Sequence, residues 1–254
     1  MIRLVRAEWT KLFTTRVWIG LLIGACVMVA GFAALFIAFS GSSQPGQPPL
    51  PAVGDPEFEK LAFATAANVV VMFLILGIIG MTQEYRHRTA TPTFLTAPRR
   101  GHVVVAKVIA YALAAVPFAI VVVAVNLLVV TVYAGARGAA PELNGDNLEV
   151  MLTSGLSLAI YAIIGVGIGA LLRNQVGAIV GALVYLFVIE QVIRSIPATS
   201  GAYKWMPGGA LEALTATFAG PDLLEPWQGG LLLLGYGLLA ALVGTVFAVR
   251  RDVV

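Results

Sequence analysis

The chain has 254 residues, of which 59% are hydrophobic and only 11% are charged, and its mean hydropathy is +0.91. Soluble domains carry about 25% charged residues, so this chain has too few polar side chains to cover a water-soluble globule. The composition predicts an integral membrane protein of the all-α class. It argues against nucleic-acid binding, because the basic residues are not part of a polar surface studded with aromatic rings. With Cys26 as its single cysteine, the chain can form neither an intrachain disulfide nor a cysteine metal cluster.

The first 16 residues have the pattern of an amphipathic helix. At 100° per residue, five apolar side chains fall within one arc of about 100°, while Arg3, Thr10 and Lys11 face the other way. Such a helix lies in the inner membrane interface with its apolar face in the acyl boundary. The alternative is an extension of the first span with basic anchors. The apolar arc consists of Ile2, Val5, Trp9, Leu12 and Phe13.

Six apolar stretches are long enough to cross a bilayer core of about 30 Å, which takes roughly 20 helical residues. Pro117 within the third stretch predicts a kink, because proline removes one helical hydrogen bond. Only Arg173, Asn174 and Gln175 separate the fourth and fifth stretches, which predicts a tight antiparallel hairpin. The first stretch is too long for the apolar core of a signal peptide, so we expect no cleaved signal. The stretches are residues 17–39, 61–81, 108–133, 151–172, 176–196 and 229–249.

Basic residues are divided unevenly between the two sets of connecting segments. With a cytoplasmic N-terminus, 12 of the 16 basic residues lie on the inner side together with three acids. The outer segments then hold four basic residues and nine acids besides Glu190. Because the bias in Lys and Arg sets topology, both termini are predicted to be cytoplasmic. Residues 82–107 become the largest cytoplasmic connection. Residues 197–228 become a long, partly helical outer segment, in which the spacing of Leu211, Leu214 and Phe218 predicts a short interfacial helix.

Glycines four residues apart recur in the spans. Such pairs allow two helices to approach closely, either within one subunit or across a dimer face. The pairs are Gly20–Gly24, Gly165–Gly169 and Gly177–Gly181.

Catalytic and nucleotide-binding motifs are missing from the sequence. His87 and His102 are the two histidines, and both lie in the cytoplasmic connection rather than in a span. The chain contains neither an H-E-x-x-H zinc motif nor a G-x-x-x-x-G-K-[ST] phosphate loop. We therefore predict that this chain is not an enzyme and holds no metal or cofactor of its own.

Two polar residues inside the spans are candidates for the translocation path or an outer gate. Asn126 lies in the middle of the third span, where an interhelical hydrogen bond and a substrate contact are the two interpretations. Glu190 lies near the outer end of the fifth span. A charge deep in a bilayer costs roughly 2.5–3.5 kcal/mol on insertion scales and indicates function. The competing interpretation is a helical ion pair with Arg194, four residues further on.

Residues 84–100, EYRHRTATPTFLTAPRR, form a densely charged segment between two apolar runs. Each of its two prolines pushes the preceding residue out of helical geometry, which predicts a short helix and a turn. Its arginines alone would serve orientation and contact with anionic lipid head groups. That role does not account for Glu84, Tyr85 and Phe94 or for the spaced prolines. The segment is therefore interpreted as a docking element.

The segment resembles the one that follows the second span in permease subunits of ABC-2-type transporters. In that family a glutamate precedes a basic or aromatic pair, then Gly-Thr, Leu, Pro and Arg, with a lysine at the start of the third span. One departure is Arg88, which stands where the family has glycine, so continued helix would replace a tight turn. The matching residues are, in order, Glu84, Tyr85, Arg86, Thr89, Leu95, Pro98, Arg100 and Lys107.

The resemblance implies a permease that dimerises with an identical or different second permease subunit. Each half would dock a separate cytoplasmic ABC ATPase, which carries the ATP and Mg²⁺. The docking segment would be the coupling helix, which passes ATP-driven motion to the spans. The resemblance further implies export across a bacterial inner membrane, in contact with membrane lipid. The apolar spans favour an amphipathic or lipid-like substrate.

The residues expected at the ATPase interface follow from this resemblance, since aromatic and arginine side chains dominate interface energetics. The motif residues Thr89 and Pro98 are also expected at this interface. The expected polar contacts are Glu84, Arg86, Arg88, Arg99 and Arg100. The expected apolar anchors are Tyr85 and Phe94, and the N-terminal helix would lie alongside through Trp9, Lys11 and Arg16.

Three other functions remain open. A stand-alone secondary transporter or channel would show charges or broken, polar-lined helices inside the membrane, and only Glu190, Asn126 and Pro117 offer such features. A membrane enzyme and a membrane anchor without transport activity are the remaining alternatives.

Overall fold

The computed structural model describes residues 1–42, 49–86, 100–196, 198–215 and 223–250, without the side chains of residues 100 and 247–250. All regular elements in these ranges are helical, which confirms the all-α class. Within the same ranges, six helical stretches are long and apolar enough to cross a membrane, which confirms the predicted number of spans.

Within the described residues, the first half of the chain folds into five α-helices and one 3-10 turn. They are α1 (Ile2–Thr14), α2 (Val17–Ala38), α3 (Pro56–Ala64), a 3-10 turn (Thr65–Val69), α4 (Val70–Arg86) and α5 (Arg100–Ala136). The second half contains α6 (Gly145–Leu172), α7 (Gln175–Val184), a π turn (Tyr185–Ile189), α8 (Glu190–Ser195), α9 (Ser200–Tyr203), α10 (Pro207–Thr215) and α11 (Pro226–Arg250).

The second and fourth spans form the centre of the bundle. In their most apolar stretches 78% and 61% of residues are buried, against 17–39% in the other four spans. The second span consists of α3, the 3-10 turn and α4, and it begins at Pro56 rather than at the predicted residue 61. Proline is favoured in the first turn of a helix, because its missing N–H has no helical partner there anyway.

Glycines bring α4 and α6 into direct backbone contact. A Cβ atom on Gly77 would overlap the carbonyl oxygen of Ala162, and one on Gly165 would overlap the carbonyl oxygen of Leu74. Gly169 lies against Met81 in the same way. The Gly165–Gly169 pair therefore packs within the subunit.

The other predicted glycine pairs behave differently. No described atom lies within 4 Å of a Cβ built on Gly20 or Gly181, so these two positions face outward from α2 and α7. A Cβ on Gly24 would meet only the end of the Met72 side chain, at 3.8 Å. Small residues on an outward face leave room for a neighbouring helix to approach.

The connection between α6 and α7 consists of Arg173 and Asn174, in agreement with the predicted tight hairpin. Arg173 adopts a left-handed conformation, with φ at 51°, and its N–H donates to the carbonyl of Gly169 at 3.0 Å. The Asn174 side chain accepts a hydrogen bond from Gly177 N at 3.0 Å and so caps α7. Two local caps therefore fix the turn.

The outer segment is helical where it was predicted to be. Leu211 and Leu214 both lie in α10, whereas Phe218 falls outside the described residues. A Cβ on Gly229 would overlap the Ala210 carbonyl, so α11 begins in close contact with α10.

We expect Gly165→Ala to destabilise the fold, because the added methyl group meets the rigid backbone of α4. Overpacking of this kind costs about 1–3 kcal/mol. Gly181→Ala is the matched control on an open face, where alanine favours helix by about 1 kcal/mol. The measurement is the thermal unfolding midpoint of each purified variant in the same detergent. Equal midpoints for the two variants would contradict the close contact of α4 with α6.

Candidate functional site

The N-terminal helix α1 lies against α5, with the predicted apolar arc turned mainly towards protein. Leu12 is 3% exposed, and Val5, Trp9 and Phe13 pack against the main hydrophobic core. The rings of Trp9 and Phe13 are 4.9 Å apart. Ile2, at the start of the arc, is 85% exposed. A location of α1 at the membrane interface stays a prediction.

Four charged side chains meet where α1, the end of α4 and the first part of α5 converge. Lys107 Nζ lies 2.5 Å from Glu8 Oε2 and 3.2 Å from Glu84 Oε1. Lys11 Nζ lies 2.7 Å from Glu8 Oε1 and 2.6 Å from Glu84 Oε1. Each lysine therefore bridges both glutamates. We call Glu8, Lys11, Glu84 and Lys107 the four-charge network.

Burial makes these ion pairs important for the fold. Lys107 has no exposed surface, while Glu8 is 4% and Glu84 5% exposed. Removing an ion from water costs several kcal/mol, and partners must compensate for this cost. Two glutamates and two lysines balance each other here, and the Gly80 carbonyl accepts a further hydrogen bond from Lys107 at 3.2 Å.

A glycine is required at position 80 for this arrangement. A Cβ there would overlap the ring of Tyr111, which lies one turn after Lys107 on α5. Without a side chain at Gly80, α5 comes close enough for Lys107 to reach both the Gly80 carbonyl and the glutamates.

Lys11 is the partly exposed member of the network. Burial lowers its pKa, but hydrogen bonds and charges from Glu8 and Glu84 outweigh burial, so the pKa is raised above its usual 10.5. A raised folded-state pKa means that the stabilisation is complete below pH 10.5 and is lost as the pH rises through the folded value. The Lys11 contacts are therefore intact at neutral pH.

The structure corrects two expected orientations. Lys11 was expected on the face of α1 opposite the apolar arc, and Glu84 on a surface open to a partner. Lys11 instead turns to Glu8 and Glu84, and Glu84 turns to Lys107 and Lys11, because the buried Lys107 ammonium and the buried Glu8 carboxylate need opposite charges. A role of Lys11 and Glu84 at an ATPase interface stays a prediction.

Other expected interface residues stand at the edge of the described chain. Tyr85 is half-buried, and the guanidinium of Arg173 lies 5.6 Å from its ring centroid. Arg86 and Arg16 are exposed. The remaining coupling-helix residues, Arg88, Thr89, Phe94, Pro98 and Arg99, lie outside the described residues, as does the side chain of Arg100.

Asn126 joins the third span to the second. Its Nδ2 donates to Thr65 Oγ1 at 2.7 Å and to the Ala62 carbonyl at 3.4 Å, and the residue is fully buried. This contact lies where α3 changes into the 3-10 turn, a change that leaves helical carbonyls without their usual partners. The described contacts of Asn126 are those of an interhelical hydrogen bond.

Glu190 owes its position to the π turn that precedes it. In a continuous α-helix Tyr185 and Glu190 would point about 140° apart, since each residue adds 100°. The i→i+5 bonding of the π turn places residues five apart on nearly the same side. Tyr185 accordingly lies close enough to the Glu190 carboxylate to interact with it.

The structure does not support the predicted ion pair between Glu190 and Arg194. Arg194 Nη1 instead lies 2.7 Å from Glu212 Oε1, because α10 folds back beside α8. Glu190 is 2% exposed, and its Oε1 accepts a hydrogen bond from Gly208 N at 3.2 Å. A Cβ at Gly208 would overlap Glu190 Oε2, so only glycine allows this approach.

Glu212 lies outside the spans and is itself largely shielded from water. Burial raises the pKa of its carboxyl group, and Arg194 and Tyr203 offset this only in part. Arg194 also stacks over the Tyr203 ring, at 5.2 Å from the centroid. Arg194 is thus held by Glu212 and Tyr203.

We call Tyr161, Tyr185, Glu190, Tyr203 and Gly208 the Glu190 cluster.

Sequence reasoning missed several of these positions. Glu8 was counted only as an inner acid, and Lys107 only as a motif and orientation residue. The available signal was Lys107 itself, a lysine inside an apolar run that requires a partner. For Tyr161 and Tyr185 no comparable signal exists, because nothing in residues 185–189 marks a π turn.

Together these observations define a polytopic helical membrane protein whose N-terminal helix is tied to its second and third spans by buried ion pairs. A family model described as ABC-2 family transporter protein matches residues 4–189. The chain belongs to this family and is a membrane subunit of an ABC transporter. The match includes all members of the four-charge network and ends one residue before Glu190. No curated protein matches the chain.

We expect Lys107→Met to lower stability strongly, because it leaves two buried carboxylates facing one lysine. Breaking a buried ion pair costs about 3–5 kcal/mol. Lys60→Met is the matched control: Lys60 pairs with Asp146 at 2.7 Å, but both side chains are exposed. A surface pair is worth about 0–1 kcal/mol. The measurement is the unfolding midpoint of each variant.

A double variant tests whether charge balance is the cause. In Lys107→Met with Glu8→Gln, one lysine again faces one glutamate, so part of the lost stability should return. Losses that simply add would contradict the coupling of the four charges.

Proposed function

We propose that the chain is the permease subunit of an ABC-2-type transporter that dimerises and couples to a separate cytoplasmic ABC ATPase. It would export an amphipathic or lipid-like substrate across a bacterial inner membrane. The observation that carries this proposal is the four-charge network, whose members Glu84 and Lys107 flank most of the expected coupling segment in the sequence. Glu84 lies just before residues 87–99, and Lys107 lies just after them.

The network supplies a mechanical argument for coupling. A force on residues 87–99 reaches α4 and α5, the two helices that flank this segment. Because Glu84 and Lys107 are buried and compensate each other, separating them would expose two charges to an apolar interior. The two helices therefore move together, and Glu8 and Lys11 carry the motion to α1.

The central position of α4 extends this argument to the rest of the bundle. Gly77 and Gly165 hold α4 and α6 in backbone contact, so a displaced α4 takes α6 with it. The ATP and Mg²⁺ belong to the ATPase in this scheme. This chain contributes the docking segment and the moving spans.

Two surface features support the remaining partners. The outward-facing Gly20 lies on the little-buried first span and suits a second permease subunit. Arg3 and Arg6 are exposed on α1, where basic side chains attract anionic lipid head groups.

One observation favours a stand-alone secondary transporter as the second candidate. The fifth span is interrupted by a π turn next to a buried glutamate, and broken helices with buried charges are typical of such transporters. Transport by the chain in vesicles without any ATPase would favour this candidate.

We expect charge reversal in the coupling helix to weaken ATPase docking. Arg86 is exposed, and Arg88 follows it in the same segment. The variant Arg86→Glu with Arg88→Glu should reduce co-purification of the ATPase at least about tenfold, which corresponds to about 1.4 kcal/mol. The control is Arg3→Glu with Arg6→Glu, the same charge change on α1. The measurement is the ratio of ATPase to permease after affinity purification. Undiminished co-purification of the first variant would refute the docking assignment.

A further inference from the structure

A cavity of about 330 Å³ lies between α4, α6 and α7. Its longest wall is one face of α6, where the lining residues are three or four positions apart. These positions extend over about 16 Å, since each helical residue rises 1.5 Å. The α6 lining consists of Tyr161, Ile164, Ile168 and Leu172.

The cavity has one polar end. Tyr161 and Tyr185 line it there, next to Pro207. The Tyr161 side chain is buried, and its hydroxyl has no hydrogen-bond partner among the described residues. A buried hydroxyl without a partner loses its hydration without compensation. Among the described residues, the Tyr161 hydroxyl is therefore an unpartnered polar group buried beside this end of the cavity.

Glu190 lies directly behind this polar end. The carboxylate accepts a hydrogen bond from the N–H of Gly208, next to Pro207, and it interacts electrostatically with Tyr185 and Tyr161. These described partners of Glu190 are all uncharged. Arg194 is engaged by Glu212, and Lys204 is not among the described partners of either carboxylate.

The contrast with the four-charge network shows what the Glu190 cluster lacks. In the network, two carboxylates are matched by two ammonium groups at 2.5–3.2 Å. Glu190 is as deeply buried as Glu8, yet no described cation compensates it. A buried carboxylate is stabilised by a nearby positive charge, and the adjoining cavity has room for a molecule that carries one.

We propose that this cavity binds a small amphiphile with a protonated or quaternary amine head group. The amine would lie against Tyr161 and Tyr185 in front of Glu190, with the apolar chain along Ile164 and Ile168. Tyrosine rings add cation–π attraction for such a head group. This inference rests on the proposed transport function and names the class of substrate for it.

The test is ligand binding to the full chain in nanodiscs of zwitterionic lipid, without the ATPase. The probe is decyltrimethylammonium, and its uncharged counterpart of equal chain length is 1-decanol. Calorimetric titration gives each Kd after subtraction of empty nanodiscs. We expect saturable binding of decyltrimethylammonium and at least about tenfold weaker binding of 1-decanol, because the uncharged head group loses both the ionic attraction to Glu190 and the cation–π attraction to the tyrosine rings.

Variants test whether the Glu190 cluster is responsible for the binding of decyltrimethylammonium. Glu190→Gln should weaken binding of decyltrimethylammonium at least about tenfold and leave 1-decanol unchanged. Tyr161→Phe should weaken it less, because the ring remains. Ala182→Leu places a larger side chain in the cavity wall and should abolish binding of both probes. Glu149→Gln is the control, since it removes the same charge from an exposed carboxylate that does not line the cavity.

Three results would overturn the proposal: equal affinity for the two probes, unchanged binding in Glu190→Gln, or heat that empty nanodiscs reproduce. Unfolding midpoints of all variants establish that they are folded. Because no ATPase is present, failure of ATPase docking and failure of this site remain separate outcomes.

Discussion

The burial of Lys107 is the constraint on which the N-terminal half of the structure depends. An ammonium group with no exposed surface needs opposite charge within a few ångströms. Glu8 comes from α1 and Glu84 from the end of α4, so meeting this need brings three separate elements to one place. Lys11 then balances the second carboxylate. The position of α1 against the bundle therefore depends on the ion pairs of Glu8 and Lys11 as well as on the packing of its apolar arc.

Glycine contacts define the centre of the helix bundle. Where α4 meets α6, Gly77 and Gly165 remove the side chains that would hold the two backbones apart. Close backbone contact raises packing density and leaves few alternative arrangements. The central helices therefore behave as one unit, while α2, α7 and α11 keep most of their surface outside the core.

Composition predicted the all-α class and the six spans, because both depend on long apolar segments rather than on particular contacts. The close α4–α6 contact was anticipated only as a possibility at Gly165. The interpretation of Glu190 and Arg194 as an ion pair was wrong. Spacing along one helix carries no information about Glu212, which α10 brings to Arg194. The burial of Glu84 and the turn of Lys11 towards Glu8 and Glu84 likewise depend on three elements that are distant in sequence.

The left-handed turn at Arg173 has a consequence for communication along the fifth span. Its guanidinium touches Tyr85, at the start of the segment proposed to bind the ATPase, and its backbone leads directly into α7. At its other end α7 enters the π turn. If the π turn relaxed to α-helix, Tyr185 and Glu190 would separate by about 140° around the helix axis. A one-residue change of hydrogen-bond register near the C-terminal end of the fifth span would thus separate Glu190 from Tyr185, and a displacement of Tyr85 would reach α7 through Arg173.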